Sequence, residues 1–116
     1  MGIKIKDISR QLELSLLTVG LEDVMEREVD YAYVSDLLSD VLANAPKGAV
    51  LVTLQTHINV IAVAVHAELT AVIFIQNRMP EKSVIEKAEQ EKILLFTSSE
   101  SAFKVAGTLY QLGLRG

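Results

Sequence analysis

Five consecutive residues, Gln55-Thr56-His57-Ile58-Asn59, form a polar knot between two apolar runs and are the part of this chain best equipped for chemistry. An imidazole can donate to a phosphate or carboxylate, or exchange a proton near neutral pH. Catalysis also needs a base, a group that orients it and a nucleophile within reach of one another. No Asp, Glu, Ser or Cys stands at a recognisable spacing from His57. Phosphate-binding Gly-x-x-x-x-Gly-Lys-[Ser/Thr], dinucleotide-binding Gly-x-Gly-x-x-Gly, nucleophile-elbow Gly-x-Ser-x-Gly and metalloprotease His-Glu-x-x-His patterns are all missing. The expectation is a binding domain and not an enzyme. The sequence contains no cysteine and only two histidines, His57 and His66. Thiol catalysis, disulfides and thiolate metal sites are therefore excluded, and no metal or cofactor is expected.

The knot needs elements to hold it. Residues 49–53 are apolar on both faces, as expected of a strand in a sheet covered on two sides. Residues 57–67 have helical spacing, although five β-branched side chains weaken their intrinsic preference; burial is expected to hold this helix. Further strands are expected at residues 14–19, 29–34, 69–76 and 93–97, with helices over 4–12, 36–44, from Pro80 through Glu91, and 101–112. Ser35 suits the N-cap of the second helix, with Asp36 against its positive end. Residues 22–28 are charged and read as a loop or short turn.

From residue 49 onward strands and helices alternate through short connections, which predicts right-handed crossovers. The fold class expected is α/β: one compact domain, residues 1–116, with a largely parallel sheet flanked by helices. Ligands of open parallel sheets sit outside the carboxyl ends of the strands, where helix N-termini also point. Four polar loops fall there. Their candidate ligand-binding residues are Ser35 and Asp36; Gln55, Thr56, His57 and Asn59; Asn77 and Arg78; and Thr97, Ser98 and Ser99. Capping alone accounts for several of the small ones. Gln55, His57, Asn77 and Arg78 are larger than a cap requires, and Arg78 can hold an anion through a forked pair of bonds.

Composition narrows the partners. The 116 residues carry a formal net charge of −4 with both signs mixed along the chain, which gives no footprint for nucleic acid or anionic lipid. Mean hydropathy is positive, +0.32, yet no apolar run approaches the roughly 18 residues of a membrane span. The opening Met-Gly-Ile-Lys-Ile-Lys-Asp lacks a signal-peptide layout, and a cytoplasmic location is expected. A small molecule or another protein is the expected partner.

Three stretches carry a family resemblance: Tyr33-Val-Ser-Asp-Leu-Leu-Ser-Asp-Val41, Val52-Thr-Leu-Gln-Thr-His-Ile-Asn-Val-Ile-Ala-Val-Ala64 and Phe96-Thr-Ser-Ser-Glu-Ser-Ala-Phe103. Together they resemble the small stand-alone DRTGG-domain proteins. These are similar to the regulatory module of some phosphotransacetylases and, more distantly, to the N-terminal domain of HPr kinase/phosphorylase. Where the naming Asp-Arg-Thr-Gly-Gly pattern would fall, this chain reads Gln55-Thr-His-Ile-Asn59, and only Thr56 matches. The resemblance implies a DRTGG-like regulatory or sensor domain without a kinase half. With the positive hydropathy it leads to the expectation of a homodimer, and with the four polar loops and Arg78 to that of a small anionic metabolite or nucleotide as ligand. The alternative is a protein-interaction subunit of a larger enzyme or signalling complex, with no ligand of its own.

Overall fold

The computed structural model describes residues 2–116. A five-stranded sheet has the order β2-β7-β6-β5-β4, built from Ser15–Leu16 (β2), Ala32–Val34 (β4), Val50–Thr53 (β5), Ala71–Phe74 (β6) and Leu94–Thr97 (β7). Strands β4 to β7 are parallel and β2 lies antiparallel on β7. The short pair Ile3–Lys4 (β1) and Glu28–Val29 (β3) is separate and antiparallel. Among the described residues there are six helices: Ile5–Gln11 (α1), Glu22–Met25 (α2), Leu38–Asn44 (α3), Asn59–His66 (α4), Lys82–Gln90 (α5) and Ala102–Gln111 (α6). The α/β class and the largely parallel sheet stand as expected.

Because β4, β5, β6 and β7 follow one another across the sheet, right-handed crossovers put α3, α4 and α5 on one face. Their Val41, Val60, Ile61, Ala64, Val84 and Ala88 pack on Leu51, Val72, Phe74 and Leu95. On the other face Ile5, Ile8, Val24, Val105 and Leu109, from α1, α2 and α6, pack on Val50, Val52, Ile73, Leu94 and Phe96. Residues of β5, β6 and β7 thus alternate between two cores. That is why these strands carry apolar residues at nearly every position. Each fully buried Val, Leu, Ile or Phe contributes roughly 1.5–3 kcal/mol, so these three strands anchor the ends from which the polar loops leave.

Four local expectations change. Residues 29–34 are not one strand: the chain breaks after Val29, and β3 and β4 join different sheets. The break is held where Arg115 donates to the Asp30 carbonyl and accepts from Ala32 N–H, 3.0 and 2.9 Å. Residues 22–28 contain the one-turn helix α2, fixed by the buried Val24. Helix α3 begins at Leu38 and not at Asp36, because the Asp36 carboxylate is drawn to β5; Ser35 Oγ accepts instead from Leu37 N–H, 3.2 Å. Helix α4 is only half buried, with Ala62 and Val65 exposed, since helices on one face of a sheet bury one side.

Several helices end without glycine. Glu13, Glu68 and Lys92 follow α1, α4 and α5 with φ of 52°, 55° and 60°, the left-handed position that usually takes glycine. Among the described residues α6 alone is followed by glycine in this role, Gly113, at φ 111°. Surface ion pairs are simple: Lys4 and Lys6 reach Glu26 at 3.2 and 3.0 Å, tying the start of the chain to the turn after α2 and holding the Glu26 carboxyl below its ordinary range.

Candidate functional site

The four polar loops do emerge at one edge, but as two tied pairs with an opening between them. The first tie is made by side chains. Asp36 Oδ1 accepts from Thr53 Oγ1 at 3.0 Å and from Leu54 N–H at 2.7 Å. Thr53, buried at the end of β5, uses the same hydroxyl to accept from Gln55 N–H at 3.1 Å. The Gln55 amide returns to the Asp36 carbonyl at 3.3 Å. The loop after β5 would otherwise leave its first N–H groups without partners, and a charged acceptor satisfies such donors more strongly than a neutral one.

The second tie is mostly main chain. Gln76 and Asn77 adopt φ of 54° and 58° and turn their N–H groups onto the Glu100 and Ser98 carbonyls, at 3.0 and 2.8 Å. Thr97 Oγ1 donates to the Arg78 carbonyl at 2.8 Å, and the Ser98 hydroxyl accepts from Glu100 N–H at 3.1 Å. The connection after β6 leads to α5 on one face and that after β7 to α6 on the other, so a crevice would be expected between β6 and β7. These bonds stitch it shut.

Between the ties lies a groove of about 530 Å³, lined by Gln55, Thr56, His57, Ile58, Met79, Glu81, Ser83 and Val84. It sits beyond the carboxyl ends of β5 and β6, against the first turns of α4 and α5. Neither helix has a side-chain cap from its N-cap residue, Ile58 or Glu81. His57 supplies one for α4: its Nδ1 accepts from Asn59 N–H at 3.1 Å. That bond requires Nδ1 to be unprotonated, so the neutral ring carries its proton on Nε2 and keeps one donor for other partners. The groove thus combines apolar wall from Ile58, Met79 and Val84 with the hydroxyls of Thr56 and Ser83, one amide, one imidazole donor and one carboxylate. Such a mixture fits a small molecule with a planar or apolar body and polar edges.

Of the residues expected from sequence, Gln55, Thr56 and His57 line this groove. Asn59 faces a neighbouring hollow between α4 and α5, of about 320 Å³, with Ile58, Ala62, Val65 and Lys87. Asp36 belongs to the first tie, while the Ser35 hydroxyl stays in its own loop on Leu37 N–H; Asn77, Thr97 and Ser98 belong to the second. Ser99 is exposed beside it. The exposed Arg78 lies one residue before Met79, and among the described residues its guanidinium has no protein partner. Met79, Glu81, Ser83 and Val84 carry no signal of a site in the sequence. They belong to the loop and first turn of a strongly amphipathic helix, and only the pairing of β5 with β6 across the sheet brings them opposite residues 55–58.

A second polar cluster lies at the β4 edge. The Tyr33 hydroxyl reaches both oxygens of Asp40, at 3.0 and 2.9 Å, and the Asn44 amide donates to Asp40 Oδ1 at 2.9 Å. The Asn44 amide, with the Ser35 and Tyr33 hydroxyls, holds the Asp40 carboxyl below its ordinary range. The bond to Asp40 in turn pushes the Tyr33 phenol up. These groups fasten β4 to α3. Among the described residues no three His, Cys, Asp or Glu side chains are grouped so as to hold a metal ion, and no helix is long and apolar enough to cross a membrane.

No protein-family model matches the chain, and no curated protein matches it in sequence. Its fold does match a solved structure, the CBS and DRTGG domains of the regulatory region of a Clostridium perfringens pyrophosphatase, complexed with an activator, diadenosine tetraphosphate. The TM-score is 0.77 over 97% of this chain, at 14% identity. This chain spans 48% of the length of that one. At such an identity the likeness supports a DRTGG-like fold and leaves ligand and partner to be argued from the groove itself.

Proposed function

We propose that the chain is a non-catalytic regulatory or sensor domain, DRTGG-like over residues 1–116, that acts in the cytoplasm as a homodimer. Its ligand is a small anionic metabolite or nucleotide, held in the groove between residues 55–58 and the start of α5. The observation that carries this reading is the groove itself, the mixed polar and apolar opening that the two loop ties leave between β5 and β6. Its position beyond the strand ends favours anions, because two helix N-termini turn toward it, and Arg78 stands at its margin for a charged group. The regulatory region that shares the fold is complexed with a nucleotide activator, and this makes adenine nucleotides the first compounds to try.

Thermal shift against adenine mono-, di- and triphosphates, diadenosine tetraphosphate and common phosphorylated metabolites tests the reading. A ligand that binds only the native state at a hundred times its dissociation constant adds about 2.7 kcal/mol, which moves the midpoint of a domain this size by roughly ten degrees. Stabilisation by at least one compound, reduced in Ser83→Ala or Met79→Ala, is expected. Absence of any shift at millimolar concentration overturns it in favour of the second reading, a protein-interaction subunit. That alternative draws on exposed apolar side chains away from the groove, Val19, Leu37 and Leu42.

A further inference from the structure

Helix α6 carries a surface that its own chain does not use. Val105 and Leu109 point into the core, while Phe103 and Tyr110, seven residues apart, share the outward side and are 90% and 61% exposed. Between them lie two small residues, Ala106 and Gly107. A glycine inside a helix costs conformational freedom, and no atom of the rest of the fold comes within 4 Å of the place its Cβ would occupy. Nothing within this chain calls for an exposed Phe or for that glycine. The surface continues sideways over the sheet edge, where Ala106 and Tyr110 line a hollow with Ala32 and Val34 of β4. Arg115 lies 4.0 Å over the Tyr110 ring at its margin.

We infer that this face of α6 is the interface with a second copy of the chain, the two α6 helices crossing antiparallel on a two-fold axis that passes between Ala106 and Gly107. A two-fold interface must be self-complementary: if residue i touches j, then j touches i. The order aromatic, small, small, aromatic meets that condition. Phe103 of each protomer falls opposite Tyr110 of the other, and the small pair lets the two backbones approach.

The exposed rings supply the central part of the area that a stable dimer needs. With aromatic side chains covering roughly 150–250 Å² each, Phe103 and Tyr110 at these exposures leave on the order of 300 Å² of ring surface in water per protomer. A standard interface takes about 800 Å² from each partner. The half-exposed Val34, the rest of the outward side of α6 and the stem of Arg115 adjoin the rings and extend the patch toward that figure. This inference rests on the homodimer of the proposed function and is independent of the ligand, so either can fail while the other stands.

Three measurements on the full chain test it. Sedimentation at micromolar concentration should give twice the 12.7 kDa chain mass. Phe103→Glu should raise the dissociation constant by at least about thirtyfold, the loss of a central hot spot, and give the single-chain mass. The substitution is in the first turn of α6, where a carboxylate favours the helix, so an unchanged circular dichroism spectrum separates lost association from lost folding. The protein contains no cysteine, so Ala106→Cys places a single thiol beside the axis while keeping Gly107. Mild oxidation should link it to its counterpart in high yield, whereas Lys92→Cys, on an exposed turn, should not link. A wild-type protein that sediments as a monomer overturns the inference. So does a dimer that survives Phe103→Glu, or an Ala106→Cys variant that still sediments as a dimer but whose chains link no faster than those of the Lys92→Cys control.

Discussion

The two loop ties do the same job with different materials. Between β4 and β5 the loops are joined through one carboxylate, Asp36, which gathers a hydroxyl and a backbone N–H at a sequence distance of 17 and 18 residues. Between β6 and β7 they are joined mainly by the backbone, with Gln76 and Asn77 twisted to positive φ so that their N–H groups meet carbonyls of the next loop. The first tie depends on side-chain identity and the second on backbone shape. Polar residues spent in either tie are less free to recognise a ligand, and those left over, Thr56, His57, Glu81 and Ser83, line the groove with Met79.

The contrast can be broken most severely at Asp36. Asp36→Ala strands the Leu54 N–H and the Thr53 hydroxyl, and urea unfolding should report a loss of about 1–3 kcal/mol. No single side-chain truncation in the second tie should cost as much; Thr97→Val, which removes the hydroxyl that donates to the Arg78 carbonyl, is the matched comparison. Equal losses at the two sites would refute the distinction.

His57 separates support from recognition within the groove. His57→Ala removes the cap on Asn59 N–H and should cost about 1 kcal/mol. His57→Asn offers an acceptor of similar reach and should restore most of that stability without restoring the Nε2 donor. Ligand affinity should therefore fall in both variants while stability falls in only one.

A smaller effect, of opposite sign, is expected at Gln76. A non-glycine residue in the left-handed region is strained by about 1–2 kcal/mol, and glycine's freedom in the unfolded chain returns part of it. Gln76→Gly should raise the thermal midpoint slightly and leave groove binding unchanged.

The smallest effects lie at the β4 edge and appear only against pH. The Asp40 carboxyl is held below its ordinary value, so its contribution to stability is present above that value and is lost as pH falls through the lowered one. The Tyr33 phenol is raised, so its contribution is present below the ordinary value of about 10 and is lost as pH rises through the raised one. Tyr33→Phe should remove Tyr33's share of the alkaline decline and weaken the acid one, as read from denaturation midpoints across pH.

Much of the fold was legible because the three central strands and the helices between and after them follow a single rule, apolar on both faces for strands and on one for helices. Residues 49–53, 69–76 and 93–97 each contain a strand of the sheet. The rest depended on contacts distant in sequence. The break at Asp30 and Tyr31 is set by Arg115 from the far end of the chain. Asp36 looked like a helix-start residue because its true partners lie at the end of β5. The turn at Gln76 and Asn77 carries no glycine to announce its positive φ. Within the candidate site the polar knot was visible from its own composition. Its opposite wall was not, since Met79, Glu81 and Ser83 become notable only when β6 is set beside β5.

The central claim, that the opening between the two ties is the binding site, is tested most directly by following backbone amide resonances while titrating the protein with diadenosine tetraphosphate or the nucleotide that gives the largest thermal shift. Saturable shifts concentrated at residues 55–59 and 78–84, with Ser98, Ser99 and Glu100 little moved, are the predicted result. Shifts centred on residues 97–101 and the stitched crevice, or spread over the surface without saturation, would contradict it.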